Sequence, residues 1–169
     1  MLPELQSYLE LIEDLRSQVG NLITDLTAEA LSWRPIEGSK DHATNSLAVL
    51  ATHVAGAEHF WIAEVIGSRP ATRQGETEFV TQETDPTELR RLLEKIDAET
   101  REVFSTLLPV DLDGTRQAHG RTVPVRWAIL HVIEHTALHL GHMQLTYQLW
   151  MGGKSIQTPR WFQRLPEEK

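Results

Sequence analysis

The run from Pro124 to about Met151 reads as one long, largely apolar helix, and four of the chain's eight histidines fall within twelve of its residues: His131-Val-Ile-Glu-His135-Thr-Ala-Leu-His139-Leu-Gly-His142. Steps of four place His131, His135 and His139 along one helical face. Imidazole is costly to line up on a face that should carry Leu or Val, so the pattern asks for a ligand, most simply a metal ion. A fold that accommodates this helix must bury its apolar surface and bring further ligands to the histidine face.

Three more periodic runs supply the partners. Leu5, Leu9, Ile12, Leu15, Val19, Leu22, Ile23 and Leu26 recur at steps of three and four between Leu2 and about Leu26, the mark of an amphipathic helix. After a linker with Trp33, Pro35 and Gly38, a second run starts near Asn45, read as the N-cap, and ends at about Ile66, where Gly67 stops it. Asp85-Pro86-Thr87-Glu88 combines an N-cap, a first-turn proline and a glutamate three positions after the cap, and opens a third run through Leu89, Leu92, Leu93, Ile96, Val103 and Leu107. The polar stretch from Ser68 to Thr84 has no helical period and reads as a mobile loop. The linker with Pro109, Gly114 and Gly120 shows no convincing strand, and Pro124 is placed in the first turn of the last helix.

Four long helices without a strand give an all-α fold, a four-helix bundle whose sites are built from side chains on facing helices. At 169 residues the chain has enough material for one core and too little for two, so residues 1–169 are read as a single domain, with the C-terminal piece containing Trp161 and Phe162 packed back as a short appendage. Apolar residues make up 40% and charged residues 24%, ordinary globular usage, and no segment reaches the roughly 18 apolar residues of a membrane span. An N-terminus carrying Glu4, Glu10, Glu13 and Asp14 has no secretory pattern, so the expected location is the cytoplasm. A formal charge of −8 without a basic stripe sets aside nucleic acid and anionic membranes as partners. With no cysteine in the chain, His, Asp and Glu are the remaining metal ligands, and any thiol chemistry needs an external thiol.

A catalytic metal site often keeps three protein ligands and leaves positions open. The last helix offers His131/His135 or His135/His139, which spacing alone does not separate; His135 belongs to either pair. A third ligand must come from another helix, where His53 and His59 stand six residues apart, roughly 240° around the axis, and cannot share a face. His53 is preferred, because its stripe with Val49, Leu50, Gly56, Ala57 and Phe60 reads as interior.

Leu31-Ser32-Trp33-Arg34-Pro35, Asn45-Ser46-Leu47 leading to His53, and His135-Thr136-Ala137-Leu138-His139 followed by Leu140-Gly141-His142 resemble the DinB-like (YfiT-like) metalloenzymes, a bacterial family, over nearly the whole chain. The resemblance implies that His53, His135 and His139 are the three metal ligands, that Trp33 is a packing anchor at the bundle mouth, and that the protein forms a homodimer. Relatives often continue with Arg-Gly-Gln where this chain has Leu140-Gly141-His142, so the roles of that Arg and Gln do not carry over. The fold's relatives include S-transferases that join bacillithiol or mycothiol to electrophiles, and a mycothiol-dependent isomerase. By resemblance, then, the chain is expected to be a metal-dependent transferase acting on a low-molecular-weight thiol and an electrophilic small molecule.

Other readings compete. His131-Val-Ile-Glu134-His135 matches the inverted zinc-protease motif H-x-x-E-H, without the larger architecture that motif needs. A di-iron carboxylate bundle requires E-x-x-H, and no Glu here has a His three residues later. His42, His59 and His119 are read as ordinary hydrogen-bonded residues; His131 and His142 as outer partners of the ligands, substrate contacts or surface residues; Glu58 and Glu134 as outer partners or solvated charges. Gly56 and Gly141 lie inside helices, where close helix contact or ligand access would offset their cost. Three neutral imidazoles suit zinc, nickel, iron or copper and leave the ion open positions at which to lower the pKa of water or a thiol. A hydrolase, a non-catalytic metal-binding stress-response protein and a plain helical interaction module are the alternatives. No residue is assigned a catalytic role beyond the metal.

Overall fold

In the computed structural model, residues 1–38 and 44–153 are described; His42 and the piece with Trp161 and Phe162 lie outside the described residues. The apolar periodicities become helices α1 (Pro3–Ile23), α3 (Leu47–Glu58), α5 (Pro86–Thr106) and α7 (Val125–Trp150), with the short α2 (Ala28–Ser32) before α3. Beyond Glu58, α3 continues as a π-helix over His59–Ile66. The principal contacts run from α1 to α5 and α7, and from α3 to the same two, so α1 and α3 occupy opposite corners of a helical bundle. Among the described residues no helix is long and apolar enough to cross a membrane.

Local chemistry sets the helix ends. Asp85 caps α5 by accepting from the Thr87 N–H, with Pro86 at the first helical position, as its sequence predicts. The cap of α3 is Ser46, whose hydroxyl accepts from Val49 N–H, rather than Asn45. The linker after α5 is more ordered than expected: a short α6 (Pro109–Leu112) precedes a hairpin of β1 (Thr115–Ala118) and β2 (Arg121–Pro124), paired Thr115 to Pro124 and Ala118 to Arg121. Its turn is His119-Gly120, both at positive φ (49° and 72°), the conformation that a two-residue hairpin turn demands. Pro124 ends β2 and caps α7 instead of entering its first turn.

The core is split. Near the α2 end, Val19, Leu31, Leu47, Leu50, Leu93 and Met143 belong to one apolar cluster; towards the other end, Leu5, Ile12, Ile62, Phe104, Ile129 and Val132 belong to a second. Between them, positions that continue the apolar stripes carry Arg16, Glu58, Thr100 and Thr136, all buried. Arg16 Nη2 and Nε donate to Glu58 Oε1 and Oε2 at 2.8 and 3.2 Å, and the Thr100 hydroxyl donates to Oε1 at 2.6 Å. Each charge in this layer is therefore matched and hydrogen-bonded, the condition for burying it. Trp33 packs against Trp150 with ring centroids 5.7 Å apart, in agreement with an anchoring role.

Candidate metal centre

On α7, the H-x-x-x-H spacing stacks His135 and His139 one turn apart, and the facing turn of α3 presents His53. The ring centroids lie 4.8 Å apart for His53 and His135, 4.9 Å for His53 and His139, and 4.4 Å for His135 and His139. One ligand atom from each of the three falls within 4.8 Å of the others, a group that could hold a metal ion. Of the two pairs that spacing leaves open, the structure brings His135 and His139 to His53. His131 instead lies flat against Trp127, centroids 4.8 Å apart and planes 7° apart.

The ring nitrogens suit a cation. His53 Nδ1 is 2.8 Å from Glu78 Oε2; an ionised carboxylate only accepts, so the ring donates Nδ1–H to it and Nε2 is the nitrogen left for the cluster. That Nε2 is 3.1 Å from His135 Nε2. The Nδ1 atoms of His135 and His139 are buried with no hydrogen-bond partner among the described residues, while in His135 it is the other ring nitrogen, Nε2, that meets His53. Burial, reinforced by the neighbouring histidines, pushes His135 down to about 3 and His139 down to about 4. Both rings are neutral near pH 7, the form that coordinates metal.

Sequence reasoning missed the carboxylate at His53. It comes from the segment read as a mobile loop, in which a short α4 (Gly75–Glu78) delivers Glu78 to the His53 ring nitrogen and Phe79 to the His53 ring face at 4.7 Å. Arg73 grips the same carboxylate through Nε at 2.7 Å and Nη2 at 2.8 Å. Burial opposes ionisation of Glu78, but the hydrogen bonds from Arg73 and His53 outweigh it and hold its pKa at about 2. Gly56 makes the approach possible: a Cβ there would overlap Glu78 Oε1 and stand 2.7 Å from Cδ. Gly141 has no such reason, since a Cβ there meets nothing within 4 Å.

The expected carboxylate partners lie elsewhere. Glu58 is committed to Arg16, and Glu134 is 82% exposed with its carboxylate 4.0 Å from His131. His59 makes the ordinary hydrogen bonds expected of it, to Glu99 at 2.6 Å and Thr72 at 2.9 Å. His119 stacks on Phe60 at the hairpin turn. His142 is exposed, its ring centroid 5.5 Å from that of His139.

The family model for mycothiol-S-transferase matches residues 7–150. The chain belongs to the mycothiol-S-transferase family. Among solved structures, a DinB-like protein from Bacillus cereus ATCC 10987 superposes with a TM-score of 0.71 at 18% identity, covering 91% of this chain and 97% of that one. A conserved protein from Enterococcus faecalis gives 0.69 at 14% identity, over 90% and 99% of the two chains. These likenesses are of fold, and they agree with the all-α DinB-like architecture expected from sequence. No curated protein matches the chain. Within the mycothiol-S-transferase family match fall all three clustered histidines and their Arg73–Glu78 support.

Two predictions arise from this geometry. Glu78→Ala should weaken zinc binding by about 10- to 100-fold, the usual effect of removing a ligand's outer partner. Gly56→Ala should act in the same direction by displacing the carboxylate, and competition titration against a zinc chelator measures both. In metal-free protein, stability should fall as pH drops from about 6.5 towards 4 and then 3. Across that window the unfolded state takes up protons at positions 135 and 139 that the folded state refuses. Urea unfolding midpoints at pH 7.5 and 5.5 in the presence of chelator test this; His135→Ala should flatten the slope, and an unchanged slope would remove these histidines as its source.

Proposed function

We propose that His53, His135 and His139 bind one divalent transition metal, and that the protein is a metal-dependent transferase joining a low-molecular-weight thiol to an electrophilic small molecule. The observation that carries this reading is the convergence of three imidazoles in a chain of the mycothiol-S-transferase family. When bound, a divalent ion supplies the Lewis acidity that lets a thiol ionise near pH 7. The chain's own part is to hold His135 and His139 neutral and all three rings aligned. Glu78, clamped by Arg73, fixes the tautomer and orientation of His53. Phe79 on one side and the Trp127–His131 stack on the other flank the histidines with aromatic surface. The chain has no cysteine, so the reacting sulfur belongs to the thiol substrate.

Elemental analysis and metal titration of protein purified without a histidine tag, followed by a transfer assay with mycothiol and 1-chloro-2,4-dinitrobenzene, test the proposal. The expected result is about one ion per chain and thiol conjugation that chelation abolishes. Absence of specific metal binding overturns the metal assignment; stoichiometric metal with ester hydrolysis but no thiol conjugation would move the protein to the hydrolases.

A further inference from the structure

Beyond His139, α7 borders a second chamber. A cavity of about 530 Å³ lies between the C-terminal half of α7 and the segment leading into α3, with apolar walls formed by Pro35, Ile36, Leu50, Leu145 and Leu149. That volume falls in the range of about 300–1,000 Å³ typical of small-molecule sites. His142 lines the cavity, and its ring is 5.5 Å from that of His139, so the chamber adjoins the histidine cluster.

Its polar groups are few, and the Thr44 hydroxyl is already taken by the Ile36 backbone N–H at 3.0 Å. Thr146 is 6% exposed, lines the chamber, and its hydroxyl has no hydrogen-bond partner among the described residues. The Asn45 side chain, at the opposite wall, has none either. A hydroxyl and an amide that line a cavity and make no hydrogen bond to the described residues offer both donors and acceptors to a bound ligand. Among the described residues, no Asp, Glu, Lys or Arg lines the chamber.

We propose that this chamber binds a small molecule with an aliphatic body and a carboxamide-type polar group, the body against Leu145 and Leu149 and the polar group between Asn45 and Thr146. A carboxamide both donates and accepts, as do the Thr hydroxyl and the Asn amide that would meet it. Placed there, the end of the ligand nearest His142 faces the three-histidine cluster. The chamber's use as the seat of the electrophile rests on the transferase reading above; binding itself does not depend on it.

The test titrates the full-length protein, with zinc and with chelator, using the series propanamide, butanamide, pentanamide and hexanamide, followed by NMR of labelled Ile and Leu methyl groups. Affinity should rise about fourfold per added methylene, with shifts at Ile36, Leu50, Leu145 and Leu149 in both metal states. Thr146→Val, which keeps the shape and removes the hydroxyl, should weaken hexanamide by about 2- to 10-fold. The exposed-position variant Leu149→Arg should abolish the chain-length dependence without touching the interior. Binding independent of chain length, or shifts confined to other methyl groups, overturns the proposal. If metal and thiol transfer fail while hexanamide still binds, the chamber stands and the transferase reading falls; if metal titrates normally and no amide shifts these methyls, the reverse holds.

Discussion

Alanine at His135 should lower zinc affinity by more than about 100-fold, beyond the 10- to 100-fold range expected for an outer partner such as Glu78. The three rings form a nearly equilateral triangle, 4.8, 4.9 and 4.4 Å on its sides, so the loss of His135 removes one corner and leaves two imidazoles. His53→Ala and His139→Ala should behave alike. His131→Ala and His59→Ala should leave zinc affinity close to unchanged, because those rings are engaged by Trp127 and by Glu99. The metal-free His135→Ala protein should lose little stability, since the substitution also removes a buried nitrogen that has no partner. Zinc at about 100 times Kd should stabilise the wild type by about 2.7 kcal/mol and leave the variant's unfolding midpoint unmoved. Equal zinc-induced shifts in the two proteins would strike His135 from the ligand set.

The histidine signal was legible because coordination by a helix needs ligands one turn apart, and one turn is a fixed spacing in sequence. Which pair to choose was not legible from spacing. The choice of His139 over His131 depends on tertiary packing, where Trp127 and Trp61 take His131 into an aromatic group. Glu78 was harder still: it reaches His53 from 25 residues away, within a segment of no helical period. The one trace of it is Gly56, a glycine three residues after His53 inside a helix, whose missing side chain is the space the carboxylate fills. The long helices were visible through their apolar repeats. The hairpin was not, because its strands Thr-Arg-Gln-Ala and Arg-Thr-Val-Pro lack an alternating apolar face and its turn is His-Gly rather than Asn-Gly.

Arg16 illustrates a signal of the opposite kind, a break in a pattern. In α1 the buried positions run Leu5, Leu9, Ile12, Arg16, Val19, Ile23, so a charge stands where the stripe asks for an aliphatic residue, and α3 answers it with Glu58 in a helix otherwise almost free of charge. Glu58→Ala should destabilise the protein by about 3 kcal/mol, the lower end of the cost of breaking a buried ion pair, because Arg16 keeps its bond to the partly exposed Asp97. The Thr100 hydroxyl loses its acceptor as well. For a chain of this size that is a fall in Tm of about 6–12 °C. Glu58→Gln, which retains an acceptor for Thr100 and for one guanidinium N–H, should cost less. The double variant Arg16→Met/Glu58→Leu should recover most of the loss, since removing both charges also removes their desolvation penalty. Thermal unfolding of the three variants separates the cases: a double variant as unstable as Glu58→Ala alone would mean that the site depends on the shape of these side chains and not on the pairing of their charges. Zinc affinity should be close to unchanged in all three, because the polar layer that joins α1, α3 and α5 touches none of the three clustered histidines through the hydrogen bonds of Glu58.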